Sequence, residues 1–203
     1  MCAELGAFDG WMESNTLHLE SCLGWRGILI DGQPAHLAWM RANRPAALSV
    51  GVAVCRDHGR VNYSRQTATT SGIADYMSRS VYERFRLGAA GYQSVPCGPL
   101  GAWLRVLGVR RLDFFSLDVQ GAELMVLRTI DWAALSVGVL VSECKGLGCA
   151  DAQDRAVRRL LAAEAGLRWA GVLRARHDVW DAVYLDAAAW ERWVRRRRPA
   201  AAK

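Results

Sequence analysis

The 203-residue sequence lacks the features that mark metal-binding, membrane-spanning or disordered proteins. It has six cysteines but no Cys-x-x-Cys pair and no Cys/His spacing typical of zinc sites. No run approaches the roughly 18–20 apolar residues of a membrane span, and no signal peptide is visible. Hydrophobic residues make up 52% of the chain and charged residues 23%, which predicts a sizeable core. We therefore expect a cytoplasmic globular protein without a bound metal.

Three features at the level of composition leave alternatives open. We expect the cysteines to be free core thiols, with a Cys55–Cys97 bridge as the alternative in a secreted chain. The first predicted strand begins at Met1 and is short, so a preceding leader or membrane anchor stays open. Much of the net charge of +6 lies in Arg195–Arg198. That run predicts a disordered basic tail over 195–203 rather than a nucleic-acid patch.

Strand-like and helix-like segments alternate along the chain, which predicts an α/β fold with a mainly parallel sheet. We expect one domain over 1–194, with a first helix that starts at Ser14-Asn15-Thr16 and stops at Gly24, helices at 34–43, 99–107 and 122–130, and another after Asp151. Residues 56–98 lack this rhythm and predict an insertion or lid over the site, with a short helix over 76–85. The predicted strands are 2–5, 27–31, 48–55, 112–117, 137–142, 169–174 and 179–186.

Acidic residues follow the predicted strands, at the edge where open α/β sheets bind ligands. Gly6 and Gly10, in the turn after the first strand, leave room for a ligand to approach the backbone. Asp31 lies twenty-one residues beyond Gly10, close to the spacing of ~20 that places a carboxylate against ribose hydroxyls. The pattern predicts a ligand that contains adenosine, with Asp118 and Glu143 ending two further strands.

The acids in the first turn indicate which adenosine ligand it is. Pyrophosphate cofactors such as NAD favour a G-x-G-x-x-G turn, in which backbone amides receive negative charge. Here Glu4 and Asp9 flank Gly6 instead. Because acidic groups repel a pyrophosphate and attract a cationic sulfonium, the turn favours S-adenosylmethionine.

Three motifs resemble the FkbM-type methyltransferases. The resemblance implies a Rossmann-like class I methyltransferase with a seven-stranded sheet, an antiparallel last strand and helices on both faces. It also implies S-adenosylmethionine as methyl donor and an oxygen atom as acceptor. The motifs are Glu4-Leu5-Gly6-Ala7-Phe8-Asp9-Gly10, Ser14-Asn15-Thr16-Leu17 followed by Gly24-Trp25-Arg26-Gly27-Ile28-Leu29-Ile30-Asp31, and Asp113-Phe114-Phe115-Ser116-Leu117-Asp118-Val119-Gln120-Gly121-Ala122-Glu123.

The resemblance implies a role for each candidate residue around the donor. Asp31 and the adjacent Gly32 would hold the ribose, and backbone near Val54 would neighbour the adenine. Asp118 would lie beside the transferred methyl group, and Asn15 would contact the donor unless it only caps a helix. The residues implied to line the methionine and sulfonium region are Glu4, Gly6, Ala7, Asp9 and Gly10.

Methyl transfer from a sulfonium requires alignment of acceptor, methyl and sulfur, and a hydroxyl acceptor benefits from a general base. Asp118, Glu143 and His177 are the candidate catalytic residues. A small molecule, sugar or lipid is the expected acceptor, and the oligomeric state is not readable. Glu123 is expected to stabilise a helix start through the helix dipole.

Three alternatives compete with this interpretation. A nucleic-acid methyltransferase is disfavoured because Asp118-Val119-Gln120-Gly121 stands where base-methylating enzymes carry an Asn/Asp-Pro-Pro-aromatic motif. An NAD-dependent oxidoreductase is disfavoured by the glycine spacing. A catalytically inactive binding or trafficking module, similar to the animal Star-like branch of the family, is the main alternative.

Overall fold

Alternating strands and helices build the chain, as the sequence predicts. The computed structural model describes residues 1–77, 91–144, 147–174 and 180–197. The strands are β1 Cys2–Leu5, β2 Gly27–Asp31, β3 Leu48–Gly51, β4 Ala53–Val54, β5 Gly59–Ser64, β6 Tyr92–Gly98, β7 Arg111–Leu117, β8 Ser136–Glu143, β9 Arg168–Arg174 and β10 Trp180–Leu185. The helices are α1 Leu17–Leu23, α2 Pro34–Asn43, α3 Leu100–Val106, α4 Glu123–Leu127, α5 Ala152–Glu164 and α6 Ala187–Arg197.

Seven strands form the main sheet, in the order β3-β2-β1-β7-β8-β10-β9. β1 pairs in parallel with both β2 and β7, whereas β10 pairs antiparallel with β8 and β9. The strand order reverses between β1 and β7, and ligands of open α/β sheets bind at such a point. The predicted Rossmann-like class, with seven strands and an antiparallel last strand, is confirmed.

The central strands are buried on both faces, which explains their continuous apolar sequences. Every residue of β1 and β2 is buried. In β2, Ile28 and Ile30 belong to the large core, whereas Leu29 packs with Met40 of α2 and Ala7 on the other face. Within the described ranges, no helix is long and apolar enough to cross a membrane.

A second, three-stranded sheet changes the interpretation of residues 48–98. The single predicted strand over 48–55 is wrong: β3 ends at Gly51 and β4 joins the small sheet, parallel to β6. β5 pairs antiparallel with β6 over six residue pairs. Of the helix expected over 76–85, residues 78–85 lie outside the described residues. The insertion therefore contains regular strand pairing, which the weak apolar periodicity of its sequence does not indicate.

Two more elements differ from expectation near helix ends. The helix predicted over 122–130 is the single turn α4, and Leu127 is its last residue. Residues 195–197 of the expected basic tail are helical, because α6 continues to Arg197; residues 198–203 lie outside the described part. Asp151 caps α5 as predicted, accepting from the Asp154 backbone N–H at 2.8 Å.

The cysteine expectation is wrong for four of the six residues. Cys55 is bonded to Cys97, and Cys144 to Cys149, while Cys2 and Cys22 are free. The first bridge ties β4 to β6 and was foreseen only as an alternative. Disulfides persist in oxidising compartments and are rare in the cytosol, so the cytoplasmic location stays a prediction.

Candidate functional site

The candidate site lies where β1, β2, β7 and β8 end, at the reversal in strand order. Parallel pairing brings their last residues Leu5, Asp31, Leu117 and Glu143 to one edge of the sheet. Because β10 runs the opposite way, its first residues reach the same edge, and Asp181 pairs in register with Glu143. The predicted gathering of acids at this edge is therefore present, with one acid more than the sequence indicated.

Gly6 lets the turn after β1 meet the turn after β7. Its φ is +87°, and a Cβ there would lie 1.7 Å from the backbone oxygen of Asp118. Only glycine fits such a close approach in the left-handed region. The Gly6 N–H donates to the Ile30 carbonyl at 3.0 Å, and the Asp118 N–H donates to the Leu5 carbonyl at 3.0 Å. These bonds fix the floor of the site.

A small cavity lies above these two turns and is lined by half of the residues predicted to bind the methyl donor. Its volume is about 40 Å³, which holds little more than one water molecule. Phe8, Met12 and Thr69 contribute to its wall together with Ser116 on β7. The predicted residues that line it are Glu4, Gly6, Ala7, Asn15 and Asp118.

Glu4 lines this cavity but its carboxylate also organises the chain around it. It is 5% exposed and accepts hydrogen bonds from the hydroxyls of Ser14 and Thr16, both at 2.7 Å, and from the Asn15 N–H at 2.8 Å. Its Oε2 lies 4.0 Å from Nη1 of the buried Arg44. Much of its accepting capacity is therefore taken by the segment before α1.

Arg44 is a buried cation that the sequence analysis did not single out. Its guanidinium donates to both carboxylate oxygens of Glu20, at 3.2 and 3.0 Å, and to the Gly10 carbonyl at 3.3 Å. The Cγ of Arg44 lies 3.3 Å from where a Cβ on Gly10 would stand. Gly10 thus faces the arginine and the core rather than the cavity.

Asp9 also has a local role. Its Oδ1 accepts the N–H groups of Trp11 and Met12, at 2.8 and 2.7 Å, and so closes the turn after β1. Asp9 and Gly10 shape the loop and do not line the cavity. The sequence gives no signal that separates them from Glu4 and Gly6, since all four belong to one continuous motif.

Asp31 lies buried at the end of β2, beside the turn after β1. Its Oδ2 accepts the Phe8 N–H at 2.9 Å and its Oδ1 accepts the Gln33 N–H at 2.8 Å. Nδ1 of His36 lies 3.0 Å from Oδ1 without forming a hydrogen bond. A carboxylate offers about four lone-pair sites, so Asp31 keeps accepting capacity for a ligand hydroxyl.

Tyr63 of the small sheet covers the end of β2. Its ring lies 2.5 Å from where a Cβ on Gly32 would stand, and its hydroxyl donates to the Ser71 carbonyl at 3.3 Å. Burial, with Asp31 and Asp118 nearby, raises the pKa of Tyr63 well above its usual value. Gly32 and Val54, predicted beside the ribose and adenine, line a second cavity of about 20 Å³ with this tyrosine.

Asp118 stands among carboxylates and its pKa is raised to about 6. Burial is the largest cause, and the negative charges of Glu123 and Asp181 act in the same direction. Hydrogen bonds from Glu143 and Gln120 oppose the rise, the latter from Nε2 to Oδ1 at 2.8 Å. Asp118 therefore ionises near pH 6 while Glu143 and Gln120 are hydrogen-bonded to it.

The same carboxylates raise the question of a metal ion. Oxygens of Asp118, Glu123 and Glu143 lie within 4.8 Å of one another, a spacing that a divalent cation can bridge. However, the oxygens of Glu123 already accept hydrogen bonds from two backbone N–H groups and from Gln153. Both oxygens of Glu123 are therefore engaged by the protein itself, and the expected lack of a metal stays a prediction.

Sequence reasoning missed the residues that contact the motifs from distant parts of the chain. Arg44, Tyr63, Thr69 and Asp181 belong to no recognised motif, and only tertiary structure brings them to the site. Ser116 could have been found, because it lies within the third motif and its hydroxyl accepts from Asn15 Nδ2 at 3.0 Å. His177 lies outside the described residues.

The sequence matches the family model described as "Methyltransferase FkbM domain" over residues 4–168. This chain belongs to the FkbM methyltransferase family. The match contains all three motifs and the ends of the four parallel strands that meet at the acidic edge. No curated protein matches the sequence.

Two solved structures are similar to this FkbM domain at low identity. The pyocyanin biosynthetic protein PhzM is 13% identical with a TM-score of 0.48, and the match covers 92% of this chain and 50% of PhzM. The precorrin-6y C5,15-methyltransferase from Geobacter metallireducens GS-15 is 12% identical with a TM-score of 0.45, covering 92% of this chain and 79% of that one. This chain thus spans half the length of PhzM.

Proposed function

We propose that this FkbM methyltransferase takes its methyl group from S-adenosylmethionine and transfers it to a hydroxyl of a small molecule, sugar or lipid. The observation that carries the proposal is the meeting of Gly6, Asp31 and Asp118 at the reversal in strand order. When bound, the donor supplies a methyl group made electrophilic by its positive sulfur.

The chemistry of the residues at this edge fits such a donor. The remaining lone pairs of Asp31 suit ribose hydroxyls, and the carboxylates of Glu4 and Asp118 suit a ligand with a positive sulfur and an ammonium group. The close approach at Gly6 leaves backbone rather than side chain facing the ligand. These features support an adenosyl cation over a pyrophosphate cofactor.

Donor binding requires the site to widen. The two cavities measure about 40 and 20 Å³, whereas ligand pockets are typically about 300–1,000 Å³. Tyr63 and Thr69 lie over the edge of the sheet, and Gln33 Nε2 holds this cover by donating to the carbonyls of Ser64 and Gln66 at 2.8 and 3.1 Å. We infer that this cover moves when the donor enters.

Asp118 and Glu143 support the proton transfer that a hydroxyl acceptor needs. The pKa of Asp118 is raised to about 6, so its ionised carboxylate can accept the hydroxyl proton close to neutral pH, where a base with such a pKa works well. His177 remains a second candidate base. The carboxylate would hold the proton at an oxygen, and His177 would hold it at a ring nitrogen, while the acceptor is aligned.

An apolar rim beside the cavity supports an acceptor with an apolar or ring-shaped part. Trp11 is 63% exposed and Met12 55% exposed in the turn after β1. Phe8 lines the cavity and packs edge-on against His36 and Trp39, with centroids 4.7 and 5.8 Å away. Exposed aromatic faces suit sugar rings and acyl chains alike.

Calorimetric titration with S-adenosylmethionine and S-adenosylhomocysteine tests the donor site. We expect the parent to bind both, and Asp31→Ala to lose at least tenfold in affinity because buried donors of the ligand would lack their acceptor. Asp131→Ala is the matched control: Asp131 also accepts a backbone N–H, from Ala133 at 3.1 Å, but outside the site. A folded parent that binds neither ligand would refute the proposal.

A further inference from the structure

Glu123 has a more specific role than the helix start that its sequence position predicts. It is 1% exposed, and its Oε1 accepts the N–H groups of Val119 and Gly121 at 3.1 and 3.0 Å. These two residues belong to the loop that directly follows Asp118. One carboxylate oxygen therefore ties together both sides of that loop.

Gln153 holds Glu123 in place from the first turn of α5. Its Nε2 donates to Oε2 of Glu123 and to the Gly121 carbonyl, both at 3.0 Å. The same loop is thus contacted from its own helix and from a helix thirty residues further along the chain. Such a fully bonded buried network makes the loop rigid.

The loop needs this support because its backbone is strained. Gln120 has a φ of +52°, in the left-handed region that non-glycine residues rarely adopt. This strained residue donates from Nε2 to Oδ1 of Asp118 at 2.8 Å. The conformation held by Glu123 is therefore the one that places an amide donor on Asp118.

Glu123 also acts on Asp118 through charge. Oxygens of the two carboxylates lie within 4.8 Å of each other. The other titratable groups that face Asp118 are Glu143 on β8, Asp181 on β10 and Tyr63 on β5. Among these neighbours, Glu123 and Asp181 raise the pKa of Asp118 through their negative charge.

We propose that Glu123 is a positioning residue, which clamps the 118–121 loop and sets the ionisation of Asp118 beside the methyl donor. This inference rests on the proposed function, since it assumes that the donor's positive sulfur binds next to Asp118. A residue with a merely structural role would change stability without changing the charge state of the site.

The preference for S-adenosylmethionine over S-adenosylhomocysteine reports this charge state, because only the first carries a positive sulfur. We expect the ratio of the two affinities in the parent to rise through about pH 6 as Asp118 ionises. Glu123→Gln keeps the size of the side chain and removes its charge. The midpoint of the rise should then fall by about one pH unit.

Three further variants separate charge from position. Glu123→Asp keeps the charge but shortens the reach, so Gln120 should no longer be held on Asp118; the midpoint should then rise instead of falling, and affinity for both ligands should fall several-fold. Gln153→Glu adds a carboxylate beside Glu123, so the midpoint should rise; this variant carries the test if Glu123→Gln does not fold. Glu164→Gln, at the exposed end of α5, is the control and should match the parent.

Each outcome bears on one proposal. If the parent binds with a pH-dependent preference and both Glu123→Gln and Gln153→Glu leave the midpoint unchanged, the positioning role is overturned while the donor site stands. If the parent binds both ligands equally at every pH, the positive sulfur does not lie beside Asp118. The positioning role of Glu123 is then overturned, because it assumes that placement of the sulfur. If it binds neither, the proposed function fails as well.

Discussion

Asp118 should make the folded protein less stable as its carboxyl ionises, and Asp118→Asn should remove that loss. Its pKa is raised from 3.8 to about 6, which corresponds to roughly 3 kcal/mol. A carboxyl whose pKa is raised by folding contributes its full stability below about pH 4. That contribution is lost as the pH rises through about 6.

Asparagine is a close mimic of the protonated side chain. Its amide oxygen can accept from Gln120, and the amide is uncharged like the protonated carboxyl. We therefore expect Asp118→Asn to be more stable than the parent by up to roughly 3 kcal/mol at pH 7 and by about half of that at pH 5. The figure is an upper limit because Asp118 is partly exposed to water.

Urea unfolding at pH 5, 6, 7 and 8, with the disulfides kept intact, measures this difference. Asp75→Asn is the control, because Asp75 is exposed and surface substitutions usually change stability by less than about 0.5 kcal/mol. The reasoning is refuted if Asp118→Asn is no more stable than the parent at pH 7, or if the two curves keep the same pH dependence.

Two further predictions concern the scaffold around the site. The Cys55–Cys97 bridge closes a loop across 42 positions, so replacing both cysteines by alanine should lower the free energy of unfolding by about 4 kcal/mol. The control is Cys22→Ala, because Cys22 is free and exposed. An unchanged urea midpoint in the double variant would contradict the prediction. Arg44→Met leaves the buried Glu4 and the half-buried Glu20 without their cation and should lower the free energy of unfolding by about 3–5 kcal/mol. Arg41→Met, at an exposed position near the end of α2, should unfold in urea like the parent; equal losses for the two arginines would show that these ion pairs contribute nothing.

Local signals account for what could be predicted from the sequence. Strands such as Gly27–Asp31 are continuous apolar runs that end in an acid, so both the element and its ligand edge are visible without any partner strand. Spacing alone predicts that Gly6 and Asp31 belong to one site, because the turn after the first strand and the end of the second strand lie close together in the chain. The family motifs added Asp118 and Asn15 to the same site.

Long-range contacts account for what could not be predicted. The 48–55 segment has the composition of one strand, yet its end pairs with β6, more than forty residues away. Weak periodicity in residues 56–98 hid this sheet, since a small sheet packed over a site needs no regular alternation of apolar residues. The Cys144–Cys149 bridge is local, but no spacing rule pairs these two cysteines.

The sequence by itself determined the class of fold and the chemistry of the edge, because strand composition, glycine turns and terminal acids are encoded over a few neighbouring residues. Only the tertiary structure decided how each acid is used. Glu4 is engaged by the segment before α1, Asp118 is buried among other carboxylates that raise its pKa, and Glu123 holds a loop. Those roles depend on burial and on charges from distant segments, and neither quantity exists until the chain has folded.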